Sequence, residues 1–345
     1  MFWRTFLLTS HLAGLLAVSG AAESADLSSE DAVARIRSAV VGIVVRSTAG
    51  NASPEQPDYP TVPAATPTKG TIIGTGIVIS PDGLVLTIAS LIRNAERVEV
   101  VAGNGKHMQV AVVGSDRNSD LALLRVPSGT GGHASLAVPT EVALGERVLA
   151  VGRVVLDGES AAIATDGVIS AIHAGTGGYQ PAIQSTVTLP PGMGGAALVR
   201  QKTGEVIGII SSKFVPKDGG PTLAFAIPIE SFLRVKPELL EKGFVSRGVI
   251  GISAKQISAT GSAALGLKTA PSVVITAVRS GSPADAAGLR IGDIVLTVDG
   301  TAVDTVPGFF QAIAAKPVGT QLELRIFRRG EMLEIKATSE EMKRQ

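Results

Sequence analysis

Between Thr71 and Pro228 the chain is a succession of short Val-, Ile- and Leu-rich runs broken by turn residues: GTGIVISPDGLVLTIA, RVEVVA, MQVAVVGSD, LALLRV, RVLAVGRVV, GEVIGIISS and LAFAIP. β-Branched residues in runs this short suit pleated, half-buried strands and are too brief for long helices. Strands of this kind persist only where one face is buried against another sheet, as in a sandwich or a barrel. The fold class is therefore mainly β. The 40 glycines and 3% aromatics of the 345-residue chain agree with small strands joined by tight turns. That length leaves room for two or three compact domains.

Other features bound the function. Lys and Arg number 31 against 30 Asp and Glu, so there is no broad basic field, and nucleic acid is not an expected partner. The opening MFWRTFLLTSHLAGLLAVSGAAES sets one Arg before a moderately apolar run and then small residues, with Ser19 and Ala21 suited to a cleavage site. Residues 1–21 read as a signal peptide. The run is interrupted by Thr9, Ser10, His11 and Gly14 and falls short of the roughly 20 apolar residues of a membrane anchor. An exported, periplasmic protein is expected. The chain has no cysteine, so its fold must hold by burial without disulfides. No two histidines lie at ligand spacing either, and neither a metal nor another cofactor is expected.

The mature chain divides by composition. SEDAVARIRSAVV, from Ser29 to Val41, begins with a capping Ser and acidic residues, and a short opening helix is predicted there. Residues 49–69 hold five prolines and little aliphatic bulk, which predicts a mobile surface loop inside a domain spanning 22–240. Pro228 to Lys242 reads as a helix-bearing linker. A second β-rich module occupies 245–340.

Four runs carry a resemblance: GTGIVISPDGLVLTIASLI, VVGSDRNSDLALLRV, IQSTVTLPPGMGGAALV, and GEVIGIISS with LAFAIP. Their order and spacing resemble the protease domain of the HtrA/DegP family, a trypsin-like fold. The resemblance implies two perpendicular six-stranded β-barrels with the active site in the cleft between them, and one PDZ domain after them. Its chemistry needs a hydroxyl nucleophile, a histidine base and a carboxylate that orients the histidine. The resemblance places the histidine slot at Ser90, the carboxylate at Asp120 and the nucleophile slot at Gly194. Gly192, Met193 and Gly194 correspond to the oxyanion loop, and the specificity-side Asp of the family is replaced by Thr186. A serine cannot serve as the base, and a glycine carries no attacking oxygen. His107, His133 and His173 stand in contexts that do not put a base beside Asp120. Asp120 itself also fits a satisfied buried acceptor with no catalytic duty.

In the second module GSPADAAGLRIGDIVLTVDG, Gly281 to Gly300, is a PDZ signature: Pro283 starts a short helix, Gly288 ends it, and Gly292-Asp293 turns into a strand. Arg247, Val249, Ile250, Gly251 and Ile252 resemble the loop whose amides receive a peptide's terminal carboxylate. Ile250, Ile252, Phe310 and Ile313 are the candidate pocket walls, while Phe309 reads as core. A peptide would then add as a strand to the sheet edge.

The expectation drawn from these residues is a pseudoprotease, not an enzyme, that binds polypeptide C-termini or unfolded segments and acts as a chaperone or modulates an active HtrA-type relative. The alternative is a serine-type endopeptidase of envelope protein quality control with a non-standard site; a purely structural envelope partner is a third reading. The family commonly trimerises through N-terminal aromatics, and DLSSED, Asp26 to Asp31, has none. No oligomer is assumed.

Overall fold

The computed structural model describes residues 26–46, 71–127, 131–137, 142–156, 159–173, 182–214, 223–264, 266–267 and 272–341. The stretches expected to be a signal peptide, 1–21, and a mobile loop, 49–69, lie outside the described residues. The chain opens with helix α1 (Ser29–Ile36), whose N-cap is Ser28, its hydroxyl accepting from the Asp31 amide. The predicted helix ran on to Val41, but Val40 begins strand β1 (Val40–Arg46), where β-branched side chains pack better than on a short helix.

Seven strands form the first sheet. They are β1, β2 (Thr71–Val78), β3 (Leu84–Ile88), β4 (Arg97–Val101), β5 (His107–Gln109), β6 (Ala111–Asp116) and β7 (Leu121–Arg125), in the order β5-β4-β1-β2-β3-β7-β6. The four-residue helix α2 (Ala89–Ile92) follows β3 directly. His107, expected in a loop, instead starts β5, and its Nδ1 lies 3.3 Å from Glu99.

The second sheet closes on itself as β10-β13-β12-β11-β8-β9. Its strands are β8 (Arg147–Leu156), β9 (Glu159–His173), β10 (Ala182–Ser185), β11 (Ala197–Arg200), β12 (Val206–Phe214) and β13 (Leu223–Pro228). Closure leaves no unpaired edge in this barrel. Helix α3 (Ile229–Glu241) leads out of it and packs back against β6. There a side chain on Gly114 would come within 2.5 Å of the Leu239 carbonyl oxygen, so only glycine permits that approach.

The last module contains β14 (Gly248–Val249), β15 (Ile252–Ile257), α4 (Ala259–Ala264), β16 (Ser272–Val278), α5 (Pro283–Ala286), β17 (Ile294–Val298), β18 (Thr301–Ala302), α6 (Val306–Ala314), β19 (Gln321–Arg328), β20 (Glu331–Thr338) and β21 (Glu340–Glu341). Its main path is β15-β16-β17-β19-β20, so β15 stands at an edge, while β14 pairs with β21. Ile250, Val295, Phe309, Leu322 and Leu324 belong to a core distinct from the barrels' core.

Thr75 of β2 joins the first sheet to the second barrel. Fully buried, it donates its amide to the Gly194 carbonyl at 2.8 Å, and its hydroxyl lies 3.2 Å from the Gly192 carbonyl and 3.1 Å from that of Arg153. Gly195, at φ +87°, leaves no room: a β-carbon there would overlap the Thr75 carbonyl oxygen and sit 2.6 Å from the Thr87 hydroxyl. Gly195→Ala should therefore cost about 3 kcal/mol or more, seen as a lower urea midpoint at unchanged slope. Gly105→Ala, at φ +78° with open space around it, is the control and should cost only about 1 kcal/mol.

Candidate functional site

Ser90 is the second residue of α2, and Asp120 is in the tight turn between β6 and β7. Helix α2 has no side-chain cap of its own. Asp120 supplies one from across the sheet: its carbonyl accepts from the Ala89 amide at 3.0 Å and its carboxylate from the Ser90 amide at 2.6 Å. The Ser90 hydroxyl donates to the other carboxylate oxygen at 3.0 Å. To reach this position Asp120 adopts φ +54°, a left-handed conformation that Asp tolerates better than most residues. The turn is braced by Asp116, whose carboxylate accepts from the Ser119 hydroxyl at 2.6 Å and from the Ser119 amide at 3.1 Å.

The carboxyl group of Asp120 is pushed up to about 6, chiefly by burial and to a smaller degree by the Asp116 charge. Bonds from the Ser90 amide and hydroxyl and the charge of Arg93 oppose this shift without cancelling it. Among the described residues no histidine bears on Asp120; His107 is engaged with Glu99.

Gly192, Met193 and Gly194 form the turn before β11, facing the start of β2, and all three are buried. Ile88 and Leu91 flank this turn. A β-carbon on Gly194 would lie 3.2 Å from Ile88, and one on Gly74 would meet both the Leu91 side chain and the Gly194 carbonyl. Thr186 sits at the end of β10, where its hydroxyl accepts from the Val168 amide at 3.0 Å.

In the last module the structure separates the candidate peptide residues. Phe310 is 39% exposed and Ile252 part-buried, whereas Ile250 and Ile313 are 1% and 2% exposed and pack in the core. The last two therefore do not form an open pocket wall. Gly251 has φ +80°, and a side chain there would overlap Ser282, so its glycine is required by the loop itself. Arg247 is not free beside this loop: its guanidinium pairs with Asp116 of the barrel. That partnership joins residues 131 positions apart, and the sequence held only half of its signal, the Asp116-to-Ser119 spacing of a side-chain-capped turn.

Residues 74–209 match the trypsin-like peptidase domain and residues 248–338 the PDZ domain. The chain belongs to the HtrA/DegP family of trypsin-like peptidases with one PDZ domain. It is 32% identical over 268 residues to a probable periplasmic serine endoprotease, DegP-like, of Halomonas elongata, covering 77% of this chain and 56% of that relative. To the periplasmic pH-dependent serine endoprotease DegQ of Escherichia coli it is 29% identical over 317 residues, covering 88% and 68%. The HtrA/DegP-family chain thus spans just over half the length of the first of these curated relatives. Among solved structures it is similar to the HtrA-type protease AlgW with a decapeptide, at a TM-score of 0.72, 25% identity and coverage of 92% and 100%. It is also similar to the serine endoprotease from Yersinia pestis, at a TM-score of 0.67 and 25% identity, with 92% and 98% covered.

These relatives correct the expectation that the HtrA/DegP-family chain is not an enzyme, since both are named serine endoproteases. That expectation rested on the contents of two slots.

The raised carboxyl has a direct consequence for stability. A group whose folded value lies above its ordinary 3.8 holds its proton more tightly in the folded state, so stability falls as pH rises from about 4 to about 6. A carbon NMR titration should find Asp120 near pH 6. Urea unfolding of the full chain should show a loss of about 2–3 kcal/mol across that window, and Asp120→Asn should flatten it relative to the unmutated chain.

Proposed function

We propose that this chain is an envelope serine-type endopeptidase with a non-standard site, holding polypeptide segments or C-termini at its PDZ domain. The observation that carries the reading is the hydrogen-bonded Ser90–Asp120 pair in a fold whose relatives are named periplasmic serine endoproteases. In acyl transfer of this kind the Ser90 hydroxyl oxygen attacks the carbonyl carbon while its proton passes to Asp120. The proton then goes on to the departing amine, and water releases the acyl group by the reverse path. A carboxylate pushed up to about 6 is a better proton acceptor than an ordinary Asp and is still mostly ionised at neutral pH. The turn at Gly192, Met193 and Gly194 supplies backbone amides as donors for the developing oxyanion. A periplasmic location is supported by the names of the relatives and agrees with the signal peptide read from residues 1–21.

For peptide capture the support is the edge strand β15, which among the described residues pairs with β16 alone and lies against α6. An added strand takes main-chain bonds from this edge, and its terminal carboxylate takes the amides of residues 249–252. Exposed Phe310 offers apolar surface to the last side chain.

Two measurements on the full chain test the two halves of this reading. A labelled decapeptide with a free, apolar C-terminus should bind in the micromolar range, and its amidated form at least tenfold more weakly, because charge-assisted bonds are lost. A fluorophosphonate probe should label Ser90, identified by mass spectrometry, and casein turnover should fall at least a hundredfold in Ser90→Ala. Equal binding of free and amidated peptide would overturn terminal-carboxylate capture. Peptide capture without label and without turnover would overturn the endopeptidase half alone.

A further inference from the structure

The guanidinium of Arg247 lies one residue before the strand that opens the PDZ domain, beside the loop proposed for the peptide carboxylate, yet it is turned toward the barrel. Its Nη2 bonds the Asp116 carboxylate, and both side chains are largely buried, at 18% and 7% exposure. The same Asp116 oxygen accepts from the hydroxyl and amide of Ser119, and the other oxygen from the Asn118 amide at 3.3 Å. Ser119 is 6% exposed and immediately precedes Asp120, which holds the left-handed conformation that aims its carboxylate at Ser90. An unbroken line of bonds therefore runs from the residue just ahead of the PDZ domain's first strand to the turn that presents Asp120. The neighbouring backbone reinforces it, since the Ser115 amide donates to the Gly243 carbonyl at 3.1 Å just ahead of Arg247.

We infer that Arg247 is a positioning residue for the Asp120–Ser90 pair and not a ligand of the peptide carboxylate. Its guanidinium holds the 116–120 turn and neutralises Asp116, while the peptide is held by the amides of the 249–252 loop alone. Two physical arguments support the assignment. A guanidinium already paired with a buried carboxylate would leave that charge uncompensated if it moved to a ligand, which costs several kcal/mol. Asp116 is also one of the two charges that bear on Asp120, the other being Arg93 at the end of α2. On α3, which packs against β6 and β7, Glu238 is turned away to the Ser246 amide and Lys242.

The test follows two readouts in the full chain: the carbon NMR titration midpoint of Asp120, and binding of the free-acid decapeptide. Arg247→Gln unmasks the Asp116 charge and should raise the Asp120 midpoint by about half a pH unit. Peptide affinity should stay within twofold. Asp116→Asn removes the anion and should lower the midpoint, and Arg247→Lys should restore most of the native value. If Arg247→Gln does not fold, the opposite shifts of Asp116→Asn and the rescue by Arg247→Lys carry the test. An unmoved midpoint together with a tenfold loss of peptide affinity in Arg247→Gln would overturn the inference and return Arg247 to the peptide site. An unmoved midpoint in Asp116→Asn would overturn it equally. None of these readouts needs catalysis, so the inference stands or falls apart from the endopeptidase reading.

Discussion

Thr75 is the point at which two separately built sheets become one molecule. Its amide, hydroxyl and carbonyl are all committed: the first two reach Gly194, Gly192 and Arg153 of the second barrel, and the carbonyl accepts from Thr87 of its own sheet at 2.8 Å. Three polar groups on one fully buried residue are worth keeping only if each is paired, because an unpaired buried group costs about 1–3 kcal/mol. The pairing in turn fixes where the Gly192–Gly195 turn sits against β2. Gly195 is the reciprocal constraint: no larger residue lets the two backbones come so close. The depth and shape of the cleft depend on this contact, whatever chemistry the cleft performs.

Asp120 shows how one residue can cap a helix and hold a hydroxyl with a single set of acceptors. Capping α2 requires acceptors for the Ala89 and Ser90 amides, and a carbonyl with a carboxylate from one residue supplies both. That geometry leaves the second carboxylate oxygen on the Ser90 hydroxyl. Burial, which makes the cap dry and short, is also what pushes the group up to about 6. The reading of Asp120 as a satisfied acceptor and its reading as a proton acceptor describe the same arrangement at different pH.

Much of the fold was legible because β-branched runs mark strands that are buried on at least one side, as β1 and β3 are. Strand β9 was not, and the reason is physical. ESAAIATDGVISAIH is rich in Ala and small polar residues and mostly solvent-facing, so its strand state comes from a ten-pair ladder with β8 and not from local preference. At the site, residue identities could be read in order along the chain, but contacts could not. No local pattern links Arg247 to Asp116, and none says that Ile250 and Ile313 turn inward. The assignment of Arg247 to a carboxylate loop came from its neighbours in sequence. The structure makes it a neighbour of the barrel.

Strand β15 is six residues long, and its exposed positions include Lys255 near the middle. An unpaired edge welcomes any extended chain, including a second copy of itself, and open edges are where β-proteins fuse into fibrils. Two copies of β15 laid side by side would crowd two lysines into one short ladder, with like charges close together. A guest carrying no cation at that register meets no such repulsion. The charge that keeps two such edges apart therefore acts on any strand laid at this register, and least on one with an acidic or neutral residue opposite Lys255.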